Sequence, residues 1–374
     1  MKKTINAQIV ADSINQMGDR ITTYLLTYPR FIHAELMTHR MFSRNSASSR
    51  AIPFEKMVKM VEEDPFIPIA WQKDHSGMQG TEYFTNEKFR IDIGDEFEYR
   101  EDIQLATKEF KIRWFEVRDN AINVARGMNN LGLTKQLCNR LLEPFMWHTV
   151  LVTATEYDNF FELRCPKYKD SLDEIYKSKK DYLKETLEED QYKPNIDLDW
   201  YLINKSPAEI HIQALAESMW NAMNESTPKI LRAGEWHIPF GDKISSNVTD
   251  WFLDIKDQAY WLGKDMTPLF LKVATSRCAR LSYMTFDGEI DYQKDIKLHD
   301  RLLLDRHMSP FEHCAKAMNE EEYFSFIKGE VHFENNVDYI TIVEENPSRK
   351  IVGWCNNFKG FIPYRYMIEN NINI

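Results

Sequence analysis

Between Ile21 and Tyr28 the chain reads Ile-Thr-Thr-Tyr-Leu-Leu-Thr-Tyr, a run of β-branched and aromatic residues that fits a strand. Pro29 then opens Arg30–Arg40, where Phe31, Ala34, Leu36 and Met37 predict a short helix. That strand-to-helix step does not recur at a regular βαβ beat. Apolar spacing predicts helices over 54–64, 101–128, 208–223, 267–284 and 295–306. Thr134 is placed to cap another helix running to Arg140, and Pro144 to open a long apolar segment over 145–164. Tyr339–Val343 reads as a strand, Trp236–Phe240 as a loop or short strand, and Phe361–Ile368 as a final short helix. Ser43–Ser49 has loop composition, and 65–100 looks irregular. Helices and strands mixed without a crossover rhythm predict an α+β fold.

The length of 374 residues leaves one elaborated domain or two open, and we read 1–374 as one. Lys167–Lys205 is charged, Tyr-rich and poor in branched aliphatics, which predicts a surface insertion, partly helical. The formal net charge of −11 disfavours general binding to nucleic acid or an anionic membrane, yet leaves room for a local basic pocket. Five cysteines with no CxxC pair argue against a disulfide framework or zinc knuckle and fit a reducing cytoplasm. The first residues lack the apolar core of a secretory signal, and no window approaches a transmembrane span, so a cytoplasmic protein is expected. Neither a G-x-G-x-x-G nor a P-loop is present.

Four segments carry candidate chemistry. His39–Arg50 packs three arginines, four serines and an asparagine into twelve residues, a set suited to phosphate through charge-assisted bonds. By composition alone it is also an ordinary solvated loop. The second and third are Arg140-Leu-Leu-Glu-Pro144 and Asn159-Phe-Phe-Glu-Leu-Arg164; an Arg closing an apolar run is commonly a surface residue. The fourth joins Ala279-Arg-Leu-Ser-Tyr283 to His307-Met-Ser-Pro-Phe-Glu-His313. Its two histidines are six apart, which matches no zinc spacing, so no metal site is expected.

Together these segments resemble the flavin-dependent thymidylate synthases. That family carries R-H-R-x-x-S-x-N-x-x-S-x-R, matched by Thr38–Arg50, with A-R-V-S-[FY] matched by Ala279–Tyr283 and H-x-[ST]-P-F-E-H by His307–His313. Arg140–Pro144 and Asn159–Arg164 match two further family segments. The order differs, because in the family the A-R-V-S-[FY] and S-P-F-E-H segments precede the R-H-R signature, whereas here they follow it. The resemblance therefore implies an α+β fold of that type with rearranged segment order and a charged insertion. It implies a methyltransferase that takes a one-carbon unit from methylenetetrahydrofolate to C5 of a deoxypyrimidine monophosphate. The leading reading is dUMP to dTMP, with FAD as cofactor, NADPH as reductant and folate as co-substrate. Alternatives are a hydroxymethylating or dCMP-using relative, and a structural paralogue without turnover.

By the same resemblance Arg164 and Arg50 are the catalytic candidates. Arg164 would stabilise negative charge on the pyrimidine oxygens, acting like an oxyanion hole. Glu35, Ser48, Ser49, Arg50, Arg140 and Arg164 would hold the nucleotide. His39, Arg40, Ser43, Asn45, Asn159, Ser282, His307, Ser309 and Glu312 would hold FAD. Family sites are built between subunits, so a homo-oligomer is expected. Departures are Thr38 for the first Arg of the signature, Ser46 for its acidic residue, Glu35 for a Gln, and Pro207-Ala208-Glu209 for a His-Ala-Gln segment. Thr38 removes a cation, for which Arg44 and Arg365 are the candidate replacements. Glu35 beside a pyrimidine edge would favour a donor such as the exocyclic amine of cytosine.

Overall fold

The computed structural model describes residues 2–77, 80, 83–84, 89–93, 96–100, 103–186, 204, 206–244, 265–281, 291–326, 330–334, 337–341 and 352–373. The predicted strand is present as β2 (Arg20–Pro29), and the preceding polar-apolar mixture is its antiparallel neighbour β1 (Asn6–Ile14). After β2 a 3-10 turn leads into α1 (His33–Met37), then β3 (Ser43–Ser46) and α2 (Phe54–Glu63). A hairpin of β4 (Phe89–Ile93) and β5 (Glu96–Arg100) lies within the stretch read as irregular. The long helix α3 (Ile103–Asn130) follows, and Thr134 caps α4 (Lys135–Cys138) by accepting from Gln136 N.

The apolar segment after Pro144 is not one element. It divides into β6 (Trp147–Ala154) and α5 (Asp158–Arg164), because Val150, Leu151 and Val152 are buried on both faces of a sheet. Ser43–Ser49 is likewise not wholly loop, since β3 pairs with β6 from Ser43↔Thr153 to Ser46↔Val150. The main sheet runs β3-β6-β2-β1-β9, with β9 (Lys229–Ile230) parallel to β1 and the other pairs antiparallel.

Alternation along β2 and β6 assigns the two faces. Tyr24, Leu26, Tyr28, Val150 and Val152 form one core with α5 and with α7 (Ile210–Glu225), which contributes Ile212, Leu215, Ala216 and Met219. Leu25 and Leu151 face the other way, against Phe240 and against Cys278 of α8 (Thr267–Arg280). Helix α8 packs on α9 (Tyr292–Leu304) and on the 3-10 turn Ser309–Glu312. Behind them lies a small sheet of β10 (Trp236–His237), β11 (Ala315–Ala317) and β16 (Phe361–Pro363). The strand β16 and the helix α11 (Tyr364–Glu369) divide the segment predicted as a single terminal helix. The remaining short elements are β7 (Tyr168–Lys169), β8 (Ile175–Tyr176), α6 (Lys179–Thr186), α10 (Glu320–Ser325), β12 (Glu330–Glu334), β13 (Val337–Thr341), β14 (Trp354–Cys355) and β15 (Phe358–Lys359).

The charged insertion starts inside the protein rather than on it. Tyr168, Ser178 and Leu183 are buried, and Glu217 of α7 accepts bonds from Tyr168 Oη and from Lys179 N. Residues 187–203 and 205 of that segment lie outside the described residues. Tyr168→Ala should destabilise the protein by roughly 3–5 kcal/mol, the range for truncating a buried aromatic. Urea unfolding checks this; a change under about 1 kcal/mol would restore the reading of a peripheral insert.

Candidate functional site

The strand β3 lies at the sheet edge, so its side chains reach both faces of the sheet within four residues. Asn45 turns toward α8 and donates from Nδ2 to Cys278 O at 2.5 Å. Ser309 Oγ donates to Asn45 Oδ1 at 3.3 Å, across 264 residues of sequence. Asn45, Ala279, Leu302 and the His307–Pro310 turn line a cavity of about 340 Å³.

On the opposite side, α1 presents a second group. His39 is buried between Phe42 and Phe160, with ring centroids 5.7 and 4.8 Å away. Arg164 Nε donates to His39 Nε2 at 3.2 Å. Burial, then the charges of Arg164 and Arg44, push the His39 imidazole down to about 4. The ring is neutral at pH 7, and because Nε2 accepts, its proton sits on Nδ1. Arg44 donates to Met37 O and His39 O at 2.9 and 3.3 Å, closing the end of α1. Thr38 turns its hydroxyl back to Glu35 O and offers no charge.

Glu35 faces a second carboxylate. Burial and then the charge of Glu209 raise its carboxyl, against the pull of Arg164 and His211. Its Oε2 is buried without a hydrogen-bond partner. Glu209 is fixed as the N-cap of α7, accepting from His211 N and Ile212 N, and it also contacts His211 Nδ1. Glu35 thus lies within electrostatic reach of both Glu209 and Arg164.

Sequence reading missed a neighbouring network because its members are individually ordinary. Tyr28 Oη and His33 Nδ1 lie 2.7 Å apart, and His33 packs edge-on against His148 at 4.6 Å. Arg30 donates to His148 Nε2 at 3.3 Å and lies 3.6 Å from Glu143, which accepts from Ser49 Oγ at 2.5 Å. Burial, then Arg30 and Arg44, lower His33 to about 4.

The structure brings Asn45, His307 and Ser309 to one cavity, and His39, Arg164 and Glu35 to a second group on the α1 side. Ser43 and Ser49 are buried, and Ser49 Oγ donates to Glu143. Glu312 is ion-paired with Arg365, which also reaches Glu369 at 2.8 Å. Arg40, Ser48, Arg50, Arg140 and Asn159 are exposed or half-exposed. Asn357 Nδ2 donates to Arg40 O at 3.3 Å, tying that corner to the C-terminal region. Ser282 lies outside the described residues. Among the described residues, no three His, Cys, Asp or Glu side chains gather as metal ligands. No described helix is long and apolar enough to cross a membrane.

No family model matches the chain, and no curated protein does. Among solved structures it is similar to a UMP/dUMP methylase, PolB from Streptomyces cacaoi. In the form bound with 5-Br dUMP the identity is 14%, covering 55% of this chain and 66% of that one, with a TM-score of 0.33. In the form bound with 5-Br UMP it is 14%, covering 60% and 91%, with a TM-score of 0.36.

The depressed imidazoles give the site a sign with pH. Between about pH 6.5 and 4 the unfolded chain takes up protons at His33 and His39 that the folded chain refuses, so stability falls as pH drops through that window. The urea midpoint should be lower at pH 5 than at pH 7, and His39→Gln should narrow the difference. An unchanged difference in the variant would show that His39 is not buried as a neutral ring.

Proposed function

We propose that the chain is an FAD-dependent enzyme that transfers a one-carbon unit from methylenetetrahydrofolate to C5 of a deoxypyrimidine monophosphate, with dUMP to dTMP as the leading reaction. The observation that supports this is the Asn45–Ser309 contact. Two motifs 264 residues apart, recognised separately in the sequence, close on one cavity. An arbitrary Ser/Arg loop and an arbitrary His-Ser-Pro turn have no reason to meet.

The residues present fit a flavin. The cavity is at the small end of the roughly 300–1,000 Å³ range for ligand pockets, so it would take one ring system with its sugar rather than a whole dinucleotide. Asn45, His307 and Ser309 would supply polar contacts there. Bound flavin would supply the electrons that bring the transferred carbon to a methyl group. Arg164, fixed through Nε by His39, keeps its remaining N–H groups for the pyrimidine oxygens. That charge acts where the ring becomes electron-rich, in a partly dehydrated corner. Ser48, Arg50 and Arg140 would take the phosphate from the open side.

Arg44 rather than Arg365 is the cation that replaces the one missing at Thr38. Arg365 is neutralised by Glu312 and Glu369, whereas no carboxylate lies within ion-pair distance of Arg44 among the described residues. A dCMP-using relative remains the second reading, favoured by one observation: a carboxyl at Glu35 with a raised proton affinity beside Arg164.

The test is direct. Purified protein should carry a flavin spectrum and convert dUMP, with methylenetetrahydrofolate and NADPH, to a product with a methyl group in place of the C5 hydrogen. Arg164→Ala should keep the flavin while losing about 10²–10³-fold in turnover, the scale for removing one charge-stabilising donor. A colourless protein that binds no FAD would end the proposal, and a methylated or hydroxymethylated dCMP would select the second reading.

A further inference from the structure

The phosphate candidates Ser48, Arg50 and Arg140 sit on two segments of chain, and two side chains that the proposed chemistry does not use bind those segments to each other. Ser48 and Arg50 belong to the loop between β3 and α2, and Arg140 to the 3-10 turn Asn139–Phe145. From that turn, Asn139 Nδ2 donates to Ser49 O at 2.7 Å and to Ile52 O at 3.0 Å. Four residues on, Glu143 accepts from Ser49 Oγ at 2.5 Å. Asn139 is fully buried and Ser49 is 7% exposed, so water does not compete for these bonds.

Both partners of Asn139 are carbonyls, so its amide nitrogen must face them. Its Oδ1 is thereby left buried without a partner, which costs stability. The rest of the loop is fixed as well. Ala47 N donates to Thr149 O and Ala51 N to Ser48 O, each at 3.0 Å, and Lys135 Nζ donates to Ala51 O at 3.2 Å. A carboxylate would repel a phosphate, but Arg30 lies 3.6 Å from Glu143 and offsets its charge. The buried residues of this clamp have the candidate ligands as their neighbours in sequence. Ser49 lies between half-buried Ser48 and exposed Arg50, and Asn139 precedes Arg140, which is exposed too.

We propose that Asn139 and Glu143 are positioning residues, which hold the loop and the turn together so that Ser48, Arg50 and Arg140 meet one phosphate monoester group. The assignment of a phosphate to those three residues rests on the proposed function. Neither Asn139 nor Glu143 has to touch the substrate. They act by denying the two segments the freedom to move apart, so that binding does not first have to order them. Such an effect supports the bound nucleotide and the transition state equally, and its loss raises KM with little change in kcat.

The test compares Glu143→Gln with Glu143→Met in the full-length protein. The two replacements are similar in size and both remove the charge beside Arg30, so they differ in whether Ser49 Oγ keeps an acceptor. In Glu143→Met the KM for dUMP should rise at least fivefold with kcat within twofold, and trypsin should cut after Arg50 at least fivefold faster. Glu143→Gln should show neither change. If Glu143→Met fails to fold, Ser49→Ala removes the same bond from the other side and should speed the trypsin cut equally. The same KM in the glutamine and methionine variants, a fall in kcat without a rise in KM, or an unchanged rate of cutting would overturn the proposal. A wild-type protein that does not turn over dUMP would end the proposed function instead, and the cutting rates would still decide whether the clamp holds the loop.

Discussion

The pairing of β2 with β6 imposes the constraint on which the rest of the structure depends. Both strands lie in the interior of the main sheet and are covered on both faces, so neither can leave a backbone group or a polar side chain unanswered. Tyr24 satisfies its hydroxyl at Met219 O, and Tyr157 at Thr22 O. Thr23 and Thr153, directly opposite each other in register, reach across the second face to two histidines of the small-sheet layer. The helical layer above and the small-sheet layer below are thereby locked to one strand pair.

Edge position then explains where chemistry can sit. A residue in the middle of this sheet is enclosed, whereas the four residues of β3 alternate between two faces and meet ligand-sized space at the rim. Asn45 goes to the α8 side and Arg44 to the α1 side, one residue apart. The candidate site thus draws on both layers without opening the core.

Charge follows the same division. The chain is acidic as a whole, yet Arg30, Arg44 and Arg164 gather around α1 with two imidazoles held neutral beside them. Neutral rings at that place avoid adding to cationic repulsion and leave the guanidinium groups as the fixed charges. Glu35 and Glu209 stand opposite them and give the corner a sensitivity to protonation that amides would lack.

Much of this was legible in residue order. Apolar spacing located β2, α2, α3, α7, α8 and α9, because each buries one face at its own period. Local chemistry located the Thr134 cap and the segments that line the cavity. The misread stretches share a cause. The segment 145–164 is apolar throughout, and periodicity cannot separate a doubly buried strand from a buried helix. Ser43–Ser46 has loop composition and is extended only because β6 offers it a ladder. Tyr168 looked like part of a surface insertion and is buried because α7 provides Glu217.

The sequence by itself determined which segments are amphipathic, where turns fall, and which residues carry charge, since those depend on neighbours along the chain. Tertiary structure alone decided which segments meet. The contact of Asn45 with Ser309, the facing of Glu35 and Glu209, and the line of hydroxyls and imidazoles from Ser13 to His313 all join residues far apart in sequence. They depend on how the strands stack in register and how the helices pack over them, and no local pattern records such relations.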